Sequence, residues 1–126
     1  MYRVIVVIRR KAGMSRADFL HHWLQDHPSF VRRLPNLRGY RQSPAIEHRK
    51  DWPYDGMAEL FFYSVSDIAR AFDGAPAKDL FAHEHDFLDE VEWFIADEPR
   101  DVQVKAPRVD RMECEDAQAD HLPDQA

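Results

Sequence analysis

The sequence predicts an α+β domain of the ferredoxin-like type, with the order β-α-β-β-α-β. Runs of β-branched and aromatic residues, typical of strands, alternate with two helical stretches. Each helical stretch opens on a serine that is followed three residues later by an aspartate, which is typical of a helix start. We therefore expect a four-stranded antiparallel sheet with two helices on one face, the first and third strands being central.

The first strand and the first helix come from the first 35 residues. Tyr2–Arg9 is a β-branched run that predicts a strand. Ser15 is a suitable N-cap for the helix, with Asp18 in the capping-box position. Pro28 has no N–H to donate, so the helix should kink or restart there, and Pro35 should end it.

Three further strands are predicted from short apolar runs. The second covers residues 37–42, and Pro44 makes it an edge strand because proline cannot donate to a neighbouring strand. The third is Met57–Tyr63 and the fourth is Glu92–Ala96, with a possible extension beyond Pro99.

The second helix begins after the third strand. Ser64 and Asp67 form its capping box. Gly74 and Pro76 are expected to interrupt it, with a helical turn resuming through Phe81.

Composition divides the chain into a domain over residues 1–105 and an acidic tail over residues 106–126. The tail carries six acidic residues and two arginines, whereas the preceding 105 residues hold 17 acidic and 15 basic ones. Few apolar residues lie in the tail, so we expect it to be mobile.

Charge and cysteine content exclude several classes of protein. The net charge of −6 argues against a nucleic-acid partner, and the longest apolar run, Val4–Ile8, is far too short to cross a membrane. Cys114 is the single cysteine, so it forms no internal disulfide, and the surrounding acids disfavour its thiolate. With no signal-peptide pattern at its start, the chain is expected to be cytoplasmic.

The central strands predict a homodimer. Val4–Ile8 and Leu60–Tyr63 are apolar at successive positions, so both faces of the sheet are apolar there. Two helices cover only one face, and the other is expected to meet the same face of a second copy. The alternative is that long loops and the C-terminal segment cover it.

His27 occupies a position where an apolar residue is expected. Phe19, Trp23, His27, Phe30 and Leu34 follow each other at intervals of three or four, so they share one helix face. Burial there would favour the neutral imidazole, which is able to act as a base. The alternative is a core histidine held by a carboxylate or a carbonyl group.

Two polar residues on the predicted strands are further candidates. Tyr40 could donate a hydrogen bond to a developing oxyanion, or it could be a half-buried tyrosine whose hydroxyl reaches water. Glu59 lies in an apolar strand on the face of Phe61, so it must be paired or protonated. Possible ion-pair partners on neighbouring strands are Arg3, Arg9 and Arg41.

The remaining histidines are not predicted to bind a metal. His21 and His22 lie off the apolar helix face, and His22 has acidic residues four positions away on either side. His83 and His85 would face the same side of an extended segment, beside Glu84 and Asp86. The cluster matches no metal-binding spacing, and we expect a solvated or ion-paired loop. Motifs for phosphate-binding loops and for a nucleophile elbow are absent, so no cofactor is predicted.

Five stretches of the sequence together resemble the EthD family: Met14–Phe19, Trp23–Pro28, Leu37–Tyr40, Tyr54–Leu60 and Phe81–Asp89. The last stretch is similar to the acid-and-Phe motif that precedes the final strand in that family. The resemblance covers nearly all of the chain except the tail. The Trp-to-His spacing, followed by Asp-Gly-x-Ala-Glu, is the most specific part of it.

The resemblance implies a dimeric α/β barrel. Some EthD proteins are cofactor-free isomerases, cyclases, dehydratases or decarboxylases that act on lactones and polyketide-like aromatics. Others accompany a cytochrome monooxygenase system for ether breakdown, and wider relatives include cofactor-independent monooxygenases and haem-binding enzymes. Because one fold hosts many activities, the fold does not choose among these. In that family the histidine at the position of His27 lines the cavity, and a tyrosine stands at the position of Tyr40.

We therefore predict cofactor-free acid–base chemistry on a hydrophobic cyclic, aromatic or lactone-like molecule. His27 would be the base and Tyr40 the hydrogen-bond donor. The residues predicted to bind the substrate are Trp23, Glu59, Phe61 and His85. Two other functions remain open. One is an oxidoreductase, a cofactor-independent monooxygenase or an auxiliary protein of an oxidative pathway, and the other is a non-catalytic binding protein or a haem binder using His27 or His83.

Overall fold

The computed structural model of the chain describes residues 1–105. Met1–Ala45 and Trp52–Pro99 form one compact unit. Its elements, in chain order, are β1 (Tyr2–Arg10), α1 (Arg16–Leu20), a π-helix (His21–Asp26), α2 (His27–Val31), β2 (Gly39–Pro44), β3 (Gly56–Phe62), α3 (Val65–Ala71), α4 (Ala75–Phe87) and β4 (Leu88–Ala96).

The segments outside this unit contain no regular element where they are described. Ile46–Asp51 and residues 100–105 have neither helix nor strand, so the predicted extension of the fourth strand beyond Pro99 is absent. The predicted acidic tail lies outside the described residues.

The sheet has the strand order β2-β3-β1-β4, and every neighbouring pair is antiparallel. The predicted ferredoxin-like fold, with the first and third strands at the centre, is therefore confirmed. The register places Val4 opposite Leu60 and Ile95, and Ile5 opposite Glu59 and Phe94. Since successive residues of a strand point to opposite faces, this register fixes which side chains face the helices.

Both predicted helix starts are confirmed. The Asp18 N–H donates to Ser15 Oγ at 3.0 Å, and the Asp67 N–H donates to Ser64 Oγ at 3.1 Å. Each bond satisfies one of the backbone donors that the first turn of a helix leaves free.

The predicted interruption at Pro28 is confirmed and takes the form of a π-helix. The His27 N–H donates to the carbonyl of His22, five residues earlier, and α2 restarts with Pro28 in its first turn. In this wider turn the carbonyl of Trp23 would face residue 28, which has no N–H. Gln42 on β2 donates to that carbonyl instead, at 2.8 Å.

The prediction for the second helical region is wrong beyond Phe81. Helix α4 continues to Phe87, so the segment expected to be an extended loop is helical. Gly74 is the N-cap of α4, and Pro76 lies in its first turn. Proline is tolerated in a first turn because the N–H that it lacks has no helical partner there. Gly74 and Pro76, which the sequence analysis expects to interrupt one helix, therefore begin helix α4.

The core lies between the helices and one face of the sheet, which we call the inner face. Val4, Ala58, Leu60 and Phe62 from the central strands are buried there. The main helical contributions to this core are Phe19, Trp23, Val31, Ile68, Leu80 and Phe87. No helix among the described residues is long and apolar enough to cross a membrane.

The opposite face, which we call the outer face, also carries apolar side chains. Ile5, Val7 and Phe61 are partly buried there, whereas Phe94 is 58% exposed. This agrees with the sequence pattern, in which both faces of the central strands are apolar.

Candidate active site

A cavity opens between the inner face of the sheet and the helices. Its volume is about 90 Å³. The lining is apolar except for three polar side chains, His27, Tyr40 and Glu84. A mostly apolar cavity with a few convergent polar groups is the usual form of a small-molecule site.

His27 is buried at the end of the π-helix, as its place in the apolar series predicts. It is 4% exposed. Its Nε2 lies 3.7 Å from Oε2 of Glu84, and its Nδ1 lies 2.9 Å from Nδ1 of His83. Burial, and secondly the nearby His83, lower the pKa of His27 to about 4. The imidazole is therefore neutral at pH 7 and has a lone pair available for a proton.

Glu84 enters the cavity from helix α4. Its side chain is 15% exposed, and among the described residues no lysine or arginine forms an ion pair with it. Burial raises the pKa of this carboxyl to about 7. Glu84 is thus able to act as a proton donor close to neutral pH, which an ordinary glutamate is not.

Tyr40 faces the same cavity from strand β2. Burial, and secondly the neighbouring Glu84, raise the pKa of its phenol, whereas hydrogen bonding to Gln42 and Trp23 acts in the opposite direction. Tyr40 therefore stays protonated and is a donor for an oxygen that becomes negative during a reaction.

Trp23 closes the floor of the cavity. It is 2% exposed and stacks against Phe19, with ring centroids 5.5 Å apart. A Cβ atom at Gly56 would lie 2.6 Å from two atoms of the indole ring, so this close approach of strand and ring requires glycine.

Two residues predicted to bind the substrate, Glu59 and Phe61, lie on the outer face and do not line this cavity. Their neighbours Ala58 and Leu60 line it instead, because side chains alternate along a strand. Arg3 donates to Glu59 at 2.8 Å, and Arg41 lies 3.5 Å from it. The structure thus gives Glu59 the ion-paired environment that the sequence analysis considered.

His85, the last of the four residues predicted to bind the substrate, is exposed and does not line the cavity. The prediction treated this segment as extended, which would place His83 and His85 on one side. In a helix, residues three and four apart share a face, so Leu80, Glu84 and Phe87 point inward together. That spacing is visible in the sequence and would have identified Glu84.

His22 lies half-buried at the outer end of the same cluster. Its ring stacks on Phe87 at 5.6 Å, and its Nδ1 lies 3.9 Å from Asp26. One ligand atom each from His22, Asp26 and His83 lies within 4.8 Å of the others. Around a tetrahedral zinc ion, ligand atoms stand roughly 3.4 Å apart. These side chains would have to move closer together to hold a transition metal, and we assign none to them.

Comparison with known proteins agrees with this fold. The family model described as the EthD domain matches residues 11–90. The chain belongs to the EthD family. No curated protein matches the chain.

Among solved structures, an EthD family protein from Bacillus halodurans superposes on this EthD chain with a TM-score of 0.66 and 16% identity, covering 79% of this chain and all of the other. A dimeric ferredoxin-like protein of unknown function from Thermobifida fusca has a TM-score of 0.61, 13% identity and coverages of 75% and 88%. The hydroxynitrile lyase from Passiflora edulis superposes with a TM-score of 0.64 and 17% identity, covering 81% of this chain and 96% of the other. At these identities the likeness shows the fold.

Proposed function

We propose that this EthD protein is an enzyme that moves a proton on a small, uncharged, apolar molecule without using a cofactor. The observation that carries the proposal is the set of His27, Tyr40 and Glu84 in an otherwise apolar cavity. A neutral imidazole next to a protonated carboxyl supplies a base and an acid at the same pH.

In the proposed reaction, His27 removes a proton from the substrate, next to a carbonyl or from a hydroxyl group. Negative charge then develops on a substrate oxygen, and Tyr40 donates a hydrogen bond to it. Glu84, in its protonated form, returns a proton to the atom that becomes basic. The pKa values of His27 and Glu84, about 4 and about 7, allow both neutral forms to coexist between those pH values.

The lining of the cavity indicates the class of substrate. No lysine or arginine is among its lining residues within the described chain, so an anionic substrate would find no partner there. At the mouth, Trp93 is 61% exposed and stacks with Phe72, their centroids 6.5 Å apart. Such rings suit a flat cyclic or aromatic molecule.

The structural likeness to a hydroxynitrile lyase supports this type of chemistry. Cleavage of a hydroxynitrile begins with removal of the hydroxyl proton, while the carbon–carbon bond to the nitrile breaks and cyanide leaves. A neutral imidazole is able to perform that first step. The likeness does not assign this substrate to the EthD protein.

We also propose that two copies associate through the outer face. Phe94 lies exposed there beside Ile5, its partner in the sheet register. Solved structures of similar fold from Thermobifida fusca and Bacteroides fragilis are described as dimeric. Burial of an exposed apolar face against its copy would give a closed, two-fold assembly.

The proposal is tested with 5-nitrobenzisoxazole, a flat aromatic probe. Removal of the C3 proton of its isoxazole ring breaks the N–O bond and forms a nitrile and a coloured phenolate, so the probe needs only a base in an apolar cavity. We expect His27→Gln to lower the rate at least about 100-fold and His21→Gln, a change at an exposed histidine, to leave it unchanged.

A second variant, which preserves the shape of the side chain, distinguishes a loss of catalysis from a folding defect. Tyr40→Phe preserves the shape of the side chain and is expected to lower the rate about 10-fold, which corresponds to the loss of one hydrogen bond to the transition state. Equal rates for the wild type, His27→Gln and Tyr40→Phe would contradict the proposed function.

A further inference from the structure

His83 connects the buried base to the protein surface. Its Nδ1 lies 2.9 Å from Nδ1 of His27, so one of the two nitrogens carries the proton and the other accepts it. The ring of His83 stacks on Phe30 at 4.5 Å and packs against Phe87 at 5.0 Å. These aromatic neighbours hold the imidazole in place, and the residue is partly exposed.

His83 has a neutral neighbour, His27, and charged neighbours. His27, on the inner side, is neutral at pH 7. Asp26 and Asp86 lie near His83 and favour a proton on it, although burial, the largest influence, lowers its pKa, as does His22 to a smaller extent. Nδ1 of His83 therefore faces a neutral group, and two carboxylates near the ring favour its protonation.

We propose that His83 is a positioning residue that accepts the Nδ1–H of His27 and so leaves Nε2 of His27 unprotonated toward the cavity. The inference rests on the proposed function, which needs a base at that nitrogen. A proton that His27 has taken up then leaves the site through the outer edge of His83.

The opposite arrangement is less favourable for two reasons. If His83 donated to His27, the remaining nitrogen of His83 would be an unprotonated acceptor in the field of Asp26 and Asp86. Nε2 of His27 would then carry a proton directed at Glu84, 3.7 Å away. Between about pH 4 and pH 7 the Glu84 carboxyl is protonated, so it is a weaker acceptor for that proton than a carboxylate would be.

The proton exit follows from the same chain of nitrogens. When Nε2 of His27 takes a proton from the substrate, the ring becomes an imidazolium whose Nδ1–H points at His83. Transfer of that proton to Nδ1 of His83, with release of a proton from the outer nitrogen of His83 to water, leaves both rings neutral but exchanges their tautomers. The resting tautomers return when Nε2 of His27 passes its proton to the Glu84 carboxylate, which gave its own proton to the product. Nδ1 of His27 then recovers a proton from His83, and His83 takes one up from water. One proton enters and one leaves, and no oxidant or further reactant is needed.

The experiment is ¹⁵N NMR of the full-length protein at pH 6 without any substrate, where His27 is neutral and the Glu84 carboxyl is protonated. In the wild type we expect the Nε2 resonance of His27 in the unprotonated range and its Nδ1 resonance in the protonated range. His83→Phe keeps the stacking on Phe30 but removes the acceptor. It should move Nε2 of His27 toward the protonated range, because Glu84 then offers the better acceptor.

Two further variants separate positioning from packing. In His83→Gln the amide oxygen is able to accept the Nδ1–H and should restore the wild-type tautomer at least in part. His85→Phe changes an exposed histidine on the same helix and should have no effect. A protonated Nε2 in the wild type, or an unchanged His27 tautomer in His83→Phe, would overturn the proposal.

The tautomer is measured without turnover, so its failure is distinguishable from failure of the proposed function. If His27→Gln leaves the rate with 5-nitrobenzisoxazole unchanged while the tautomer shifts as expected, the proposed function is wrong and the positioning role of His83 stands. If His27→Gln lowers the rate but the tautomer of His27 is unchanged in His83→Phe, the proposed function stands and the positioning role of His83 is wrong.

Discussion

Glu59 and Glu84 are two buried carboxylates whose surroundings differ in one respect. Glu59 points from strand β3 to the outer face, and its side chain is 8% exposed. Glu84 points from helix α4 into the cavity on the inner side, and its side chain is 15% exposed. Arg3 and Arg41 approach Glu59 at 2.8 and 3.5 Å, whereas Glu84 faces the neutral imidazole of His27 at 3.7 Å.

The difference shows how one residue type serves two purposes. A guanidinium next to a buried carboxylate compensates part of the cost of removing its charge from water, so such a pair is compatible with a purely structural role. A carboxyl without a permanent cation is protonated more easily, and this change of protonation near neutral pH suits proton transfer. We therefore place the chemistry at Glu84 and His27 and the structural ion pair at Glu59.

Removal of the cation beside Glu59 is the strongest test of this contrast. Arg3→Met should lower the free energy of unfolding at pH 7 by about 3 kcal/mol, because a buried carboxylate would lose its nearest partner. The measurement is urea unfolding monitored by circular dichroism. Arg41→Ala is the matched control, since the Arg41 side chain is 67% exposed, and it should cost less than about 1 kcal/mol.

Equal losses in Arg3→Met and Arg41→Ala would contradict this ranking. A loss below about 1 kcal/mol for Arg3→Met would show that the buried Glu59 carboxylate does not need the 2.8 Å contact with Arg3 for its stability.

Removal of the charge at Glu84 should have a smaller effect of opposite sign. Its pKa is about 7 in the folded protein and near 4.5 when unperturbed. As the pH rises from about 4.5 to about 7, the unfolded chain loses this proton before the folded protein does, so wild-type stability falls. Glu84→Gln lacks this loss and should exceed the wild type by on the order of 2 kcal/mol at pH 8.

The comparison is made by urea unfolding at pH 5 and at pH 8. Near pH 5, which is half a unit above the ordinary pKa of 4.5, the difference from this source should fall below about 1 kcal/mol. Glu90→Gln, at an exposed position of β4, should show no such pH dependence. A Glu84→Gln variant that differs from the wild type by the same amount at both pH values would contradict the unpaired state of Glu84.

Most of the fold could be predicted because its signals are local. Ser15 and Ser64 cap helices through bonds that span three residues, and strand composition marks the sheet. The burial of His27 was also visible, since its position in the helical series requires no knowledge of distant contacts. The dimer through the outer face and the division at residue 105 stay predictions.

Half of the candidate site could not be predicted, for two physical reasons. In a strand with consecutive apolar residues, alternation does not reveal which side faces the helices, so Glu59 and Phe61 were placed in a site that they do not line. Gly74 and Pro76 were interpreted as breaking a helix, although they begin one. Without a helix over residues 75–87, the sequence analysis could not predict that Glu84 lies on an inward helical face or that His83 contacts His27.

The most direct test of the account is the titration of the Glu84 carboxyl, followed by ¹³C NMR of its Cδ and assigned with Glu84→Gln. We expect a midpoint near pH 7, because burial without a permanent cation favours the protonated carboxyl and raises its pKa. A midpoint near 4.5, the ordinary value, would show that Glu84 is solvated or paired like a structural glutamate. The assignment of acid–base chemistry to this cavity would then be wrong.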